Sequence, residues 1–316
     1  MRNVRPAQMY DKQPTRLTEP KRIRSGVYMS HDLKADTGWR IWWQLTRPHT
    51  LTASFVPVFL GTMIAISYTD IHWPLFFAML FASMLIQAAT NMFNEYYDFA
   101  RGLDNEKSVG IGGAIVRNGV KPKTVMILAL LLYAISIILG IYICIETTWF
   151  LAVVGAVAMA IGYLYTGGPY PIAYTPFGEL FSGLFMGMLI VLIAFFIQTG
   201  EITTFALLLS VPSMLLVAAI MLSNNIRDIV GDKESGRKTM AILIGRKRAI
   251  TVLLALFIVS YVWIVALVIM SVLTPWALLI FLSIKKPIHA IRIFRTKEHA
   301  LEVAPAMKDT ALTNTI

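Results

Sequence analysis

The stretch from Leu75 to Asp98 reads LFFAMLFASMLIQAATNMFNEYYD. Its first 20 residues, 75 to 94, carry no charge. At ~1.5 Å of rise per residue, a helix of that length covers the ~30 Å hydrocarbon layer of a bilayer. Polar groups then gather at one end: Asn91 stands one turn before Glu95, and Asn94 one turn before Asp98, on shared helical faces. The reading is a membrane-spanning helix that delivers side-chain oxygens to one boundary.

Working outward, similar apolar runs occur at about 49–68, 124–145, 148–165, 177–198, 204–226, 249–271 and 274–288. With 75–97 they make eight spans and define an all-α polytopic membrane protein. Ser283, Lys285 and Lys286 crowd the end of the eighth. Of the 316 residues, 57% are hydrophobic and 15% charged, which excludes a single soluble core. The formal net charge of +10 would point to nucleic acid in a soluble chain; here it points to the anionic leaflet of a bilayer. The single cysteine, Cys144, lies in an apolar run and cannot form an internal disulfide, and the five histidines are scattered with no zinc-ligand spacing.

Basic residues set the orientation. The connections near 68–74, 145–149, 198–203 and 271–275 contain no Lys or Arg, so the N-terminal tail, the other loops and the C-terminal segment are expected on the cytoplasmic side. The expected organisation is a basic tail over 1–40, a bundle over 41–290 and a cytoplasmic C-terminal segment over 291–316. Overlaying spans one to four on five to eight gives a parallel pseudo-repeat of two four-helix halves, because Asn224-x-x-x-Asp228 closes the sixth span as Asn94-x-x-x-Asp98 closes the second.

Around the first of these sites, Gly102 is a natural helix stop that lets Asp104 fold back toward Asn94 and Asp98. Asp232 lies one turn beyond Asp228, followed by Lys233, Arg237 and Lys238. Hard oxygen ligands at a membrane boundary suit Mg²⁺, which bridges carboxylates to phosphates. Neighbouring cations suit a pyrophosphate. A solvated helix end explains one such cluster but not two matched ones on the same side. Asn91 either lines a pocket or bonds between helices. Tyr163 and Tyr165 either face a ligand or anchor at the interface, and Arg47 is either a snorkelling anchor or a ligand contact. Gly110-Ile111-Gly112-Gly113 follows no strand and lacks the Walker lysine, so it reads as a lid hinge bringing Lys107 and Arg117 over the site.

At its two aspartate clusters the chain resembles the UbiA superfamily of intramembrane aromatic prenyltransferases. The resemblance rests on Asn94-x-x-x-Asp98-x-x-x-Gly102-x-Asp104 and Asp228-x-x-x-Asp232. The wording of Arg47-Pro48-His49-Thr50, Ser108 to Gly113 and Tyr165-Thr166-Gly167-Gly168-Pro169 is most similar to the branch that prenylates 1,4-dihydroxy-2-naphthoate. It implies a Mg²⁺-dependent transfer of a polyprenyl chain from its diphosphate to the naphthoate ring, with loss of the carboxylate, in the cell membrane. It further implies metal on Asp98, Asp104, Asp228 and Asp232, with Lys107 and nearby cations on the diphosphate; the reading of the residues themselves adds Asn94 as a metal ligand and Arg117, Arg47, Asn91, Tyr163, Tyr165, Asn224, Lys233 and Arg237 as candidates around the substrates. The family usually has nine helices, and the ninth would begin about where this chain ends. Alternative acceptors are 4-hydroxybenzoate and homogentisate. A transporter is the rival from another class, but its carboxylates would belong at the bilayer midplane.

Overall fold

The computed structural model describes residues 37–48, 50–104 and 113–316. The basic tail up to residue 36, His49, Lys107 and the Gly110 to Gly112 part of the expected hinge lie outside the described residues.

The described residues are helical and contain no strand. In chain order the helices are α1 (Trp39–Leu45), α2 (Thr52–Ala65), α3 (Trp73–Ala100), α4 (Pro122–Glu146), α5 (Phe150–Leu164), α6 (Gly178–Thr199), α7 (Thr204–Arg227), α8 (Ile229–Glu234), α9 (Met240–Ile244), α10 (Arg246–Ile269), α11 (Lys285–Thr296) and α12 (Ala300–Thr315). Of these, α3, α4, α6, α7 and α10 are long and apolar enough to cross a membrane, and α2 and α5 are shorter apolar helices. Local chemistry sets their ends. The His72 ring nitrogen accepts from the Leu75 amide to open α3, the Thr203 hydroxyl accepts from Ala206 to open α7, and Gly102 and Gly200 take left-handed φ values of 74° and 77° to close α3 and α6.

The principal packing pairs are α3 with α4, α2 with α6, and α7 with both α6 and α10. α6 approaches α7 on glycines: a Cβ on Gly187 would lie 2.5 Å from the Met214 Cα, and one on Gly183 would lie 2.7 Å from the Met214 carbonyl oxygen. The wide turn from Gly183 to Leu189 falls at this contact. By contrast α5 has no fully buried residue and packs on α3 and α4 alone among its principal neighbours. α5 and α6 are not a principal packing pair.

Two expectations change. The eighth span is not one helix: Pro275–Ser283 is a 3-10 segment and α11 starts afresh at Lys285. Pro287 and two consecutive lysines explain the break, since α11 buries Pro287, Ala290, Ile291 and Phe294 and turns His289 and Arg292 outward. Residues 300–315, expected within a cytoplasmic C-terminal segment, form α12, which packs on α7, α11 and α2 and buries Val303, Ala306 and Ala311.

Candidate active site

α3 and α7 end on the same side of the bundle, so their terminal polar residues converge on a single cavity of about 610 Å³. Arg47, Asn94, Asn224, Asp228, Asp232 and Arg237 line its polar end. From there it runs along α5 to Trp149, at the opposite end of that helix, a depth of roughly 20 Å for its fifteen residues. The deep wall mixes bulky apolar side chains such as Ile141, Trp149 and Leu151 with small residues. Gly140 and Gly155 line it, and a Cβ on either would meet nothing within 4 Å.

The polar end is one connected network. Arg237 donates through Nη1 to Asp232 Oδ1 at 2.9 Å and through Nη2 to Asp98 Oδ1 at 2.6 Å, so a single guanidinium joins the two halves of the chain. With its amide oriented to satisfy both neighbours, Asn94 donates to Asp98 Oδ2 at 2.7 Å and accepts from Arg47 Nη1 at 2.9 Å. Arg47 reaches this position from a left-handed backbone, φ 51°, an uncommon conformation for a residue with a side chain. Asp228 is held through both carboxylate oxygens by Arg227. Asp232 is 5% exposed and its carboxyl is pushed up to about 6: burial raises it most, Arg237 pulls it down, and the Asp228 and Asp98 carboxylates raise it. Burial alone would lower the Arg237 guanidinium, but Asp98 and Asp232 together raise it above its ordinary value.

Not every residue expected from the sequence reaches the cavity. Asn91, Asn224 and Tyr165 line it, and Asn91 also donates to the Thr46 carbonyl and the Thr50 hydroxyl, so both of its readings hold. The Asp104 amide bonds to the Asp98 carbonyl oxygen at 3.3 Å in the turn after α3, and Asp104 does not line the cavity. The second motif is not one continuous helical face. α7 stops at Arg227, Asp228 caps the break, and Asp232 sits on α8, brought back by its amide bond to the Asp228 carbonyl. Tyr163 is absorbed in packing, with its hydroxyl 2.6 Å from that of Tyr97 and its ring against Phe93. Arg117 lies against Gly113 and the α1 side, and Lys233 is exposed; neither lines the cavity. Cys144 is buried and lines the apolar part.

Four contributors had no role assigned from the sequence. Glu95, 1% exposed, accepts the amides of Gly113 at 2.8 Å and Ile115 at 3.3 Å, anchoring the loop that follows the first motif. Arg101 donates to the carbonyls of Thr166 and Gly168. It thereby supplies the cation that the loop after α5 lacks. Tyr174 lies beneath both Arg101 and Arg237, with ring centroids 5.4 and 5.2 Å from the guanidinium carbons. Buried Glu179 accepts from the Asn225 amide nitrogen at 2.9 Å, fixing a residue of the cavity wall. Charged residues directly beside each motif were the available signal for Glu95 and Arg101; none existed for Tyr174.

An apolar tunnel topped by carboxylates and arginines suits a substrate with a long hydrocarbon tail and a charged head. The sequence profile of the UbiA prenyltransferase family matches residues 54–308. The chain belongs to the UbiA prenyltransferase family. It is therefore an enzyme that transfers prenyl groups, carried on several apolar helices. A Bacillus subtilis relative, 1,4-dihydroxy-2-naphthoate octaprenyltransferase, is 60% identical over 87% of this chain and 89% of its own length. The Mycobacterium leprae protein of the same name is 27% identical over 86% and 91%. Among solved structures, a UbiA homologue from Aeropyrum pernix aligns with a TM-score of 0.65 at 17% identity, covering 87% of this chain and 95% of its own. One from Archaeoglobus fulgidus, bound to GPP and Mg²⁺, aligns at 0.60 and 18% identity, covering 87% and 97%. At those identities the two structures establish that this UbiA prenyltransferase shares their fold.

Proposed function

We propose that this UbiA prenyltransferase moves a polyprenyl group from polyprenyl diphosphate to 1,4-dihydroxy-2-naphthoate, with loss of CO₂ and diphosphate, giving the quinol form of demethylmenaquinone. The observation that carries the reading is the meeting of both aspartate motifs at the mouth of an apolar tunnel. The 60% identity to the Bacillus subtilis enzyme favours the naphthoate among aromatic acceptors.

The donor's hydrocarbon lies along the tunnel past Gly140 and Gly155, with the gap between α5 and α6 as its entrance from lipid. Its diphosphate lies at the polar end, within reach of Arg47 and Arg237. Asn94 and Glu95 orient Arg47, and Arg101 with Tyr174 fixes the loop after α5. The tunnel excludes water from the allylic centre as the C–O bond breaks and the diphosphate departs with the electron pair. The electron-rich naphthoate ring then attacks that carbon.

The residues present fit Mg²⁺. Asp98, Asp104, Asp228 and Asp232 offer carboxylate oxygens and Asn94 an amide oxygen, and Asp98 with Asp232 already embraces a cation, the Arg237 guanidinium. Among the described residues no three carboxylate, histidine or cysteine side chains close on one point. Bound there, Mg²⁺ would neutralise the leaving diphosphate. The basic asymmetry of the loops supports a cell-membrane protein whose N-terminus and site face the cytoplasm.

The test is purified protein with Mg²⁺, polyprenyl diphosphate and either dihydroxynaphthoate, 4-hydroxybenzoate or homogentisate. Diphosphate release with the naphthoate alone is expected, abolished in Asp98→Ala and Asp228→Ala. Full activity in those variants or in excess EDTA overturns the metal assignment, and a preference for another acceptor overturns the substrate.

A further inference from the structure

We infer that Arg237 is a resident counter-cation: its guanidinium occupies the position between Asp98 and Asp232 in the metal-free enzyme, yields those carboxylates to metal, and passes to the donor's diphosphate. This inference rests on the metal reading above and adds the exchange.

Three observations carry it. First, the two carboxylates bridged by Arg237 come from different halves of the chain, α3 and α8, and each uses its Oδ1 on the guanidinium. A planar fork bonded to two acceptors holds them in register, and it also blocks a divalent ion from those same oxygens. Second, the resting contacts leave Arg237 incompletely satisfied. Its Nε is buried with no hydrogen-bond partner, although the residue lines the cavity where the donor's head lies. A buried N–H without an acceptor is costly, and a phosphate oxygen would complete the set. Third, the guanidinium rests on the Tyr174 ring, while the Lys238 amide bonds to the Tyr174 carbonyl at 3.0 Å, so residues 237 and 238 are tethered to residue 174 by two contacts. A flat aromatic face lets the guanidinium shift in its own plane without losing that contact. Asp228 repeats the arrangement, bound through both oxygens by Arg227, so the second motif is also charge-compensated by arginine.

The exchange makes a prediction of definite sign. Removing a cation that merely stabilises the fold would disorder the carboxylates and weaken metal binding. Removing one that competes with the metal strengthens it. Isothermal titration of Mg²⁺ into substrate-free full-length protein is the measurement. Arg237→Gln is expected to lower the Mg²⁺ Kd by about tenfold, since breaking a two-point charge-assisted pair is no longer required. Arg237→Lys, which keeps the charge with single-point geometry and should fold normally, is expected to lower it by a few-fold. Unchanged or weaker binding in Arg237→Lys overturns the inference even where the glutamine variant does not fold.

At saturating Mg²⁺ the lysine variant should raise the KM for polyprenyl diphosphate and leave the acceptor KM unaltered. An unaltered donor KM overturns the second half of the exchange. Wild-type protein that takes up no Mg²⁺ refutes the metal reading itself rather than the role of Arg237.

Discussion

Replacing Glu95 with alanine should open the loop at residues 113–115 without unfolding the bundle. The Glu95 carboxylate is 1% exposed, accepts two backbone amides, and has Arg47 Nη2 at 3.6 Å from its second oxygen. A hydrogen bond to a charged acceptor contributes about 1.5–3 kcal/mol. The bond from Ile115 is long at 3.3 Å, and deleting the carboxylate also relieves its own desolvation, so the net loss is set at about 3 kcal/mol for the pair. At 1.4 kcal/mol per factor of ten, local opening of this segment becomes about 150-fold more frequent. Hydrogen–deuterium exchange read by mass spectrometry on a peptide covering 113–115 measures that directly. Glu95→Gln keeps one acceptor oxygen and loses the charge, so its effect should be nearer fivefold, about 1 kcal/mol. Exchange within twofold of wild type in a folded Glu95→Ala protein would refute the anchoring argument.

Other substitutions probe the rest of the architecture. Gly187→Leu places a Cβ 2.5 Å from the Met214 Cα, so α6 and α7 must separate; a loss of about 3 kcal/mol, seen as a lowered midpoint in thermal unfolding in detergent, is expected, and a wild-type midpoint contradicts the close packing. Gly155→Phe has open space to fill, so the protein should stay folded while its kcat/KM for long polyprenyl donors falls about tenfold relative to a ten-carbon donor; equal loss on both would remove the tunnel assignment. Arg101→Gln loses both carbonyl contacts to the loop after α5 and its stacking on Tyr174. Prenyl transfer should drop at least about tenfold with the melting temperature little changed, and undiminished turnover would show that the loop needs no such tether.

The first aspartate cluster was legible because helical spacing is a local property. Asn94 and Asp98 meet through residues four apart, and Gly102 turning Asp104 back is equally short-ranged. What escaped were partnerships fixed only by the packed bundle. Arg237 finds Asp98 across 139 residues, Arg101 finds Thr166 and Gly168 across 65 and 67, and Glu95 stabilises a loop through backbone amides that carry no side-chain signal. Tyr163 and Tyr165 show the limit from the other direction. They stand two residues apart near the end of α5, yet one packs on Phe93 and the other lines the cavity, a choice set by the opposing helices.

The helix α12 escaped for a different reason. Hydropathy scans reward apolar composition, whereas α12 buries Asp309, Thr310, Thr313 and Asn314 alongside its alanines. Those groups are satisfied inside the protein: Asp309 takes Lys286 and His289 from α11, Thr310 and Thr313 bond back to their own helix, and Asn314 donates to the Thr52 carbonyl at the start of α2. In a bundle, a polar group with a partner costs far less than its transfer energy to hydrocarbon. Lys286, one of the residues that crowd the end of the eighth span, and His289 beyond it are thus the partners that let the next polar helix pack beside α11. Sequence polarity in 285–314 is better read as pairing between α11 and α12 than as exposure of either.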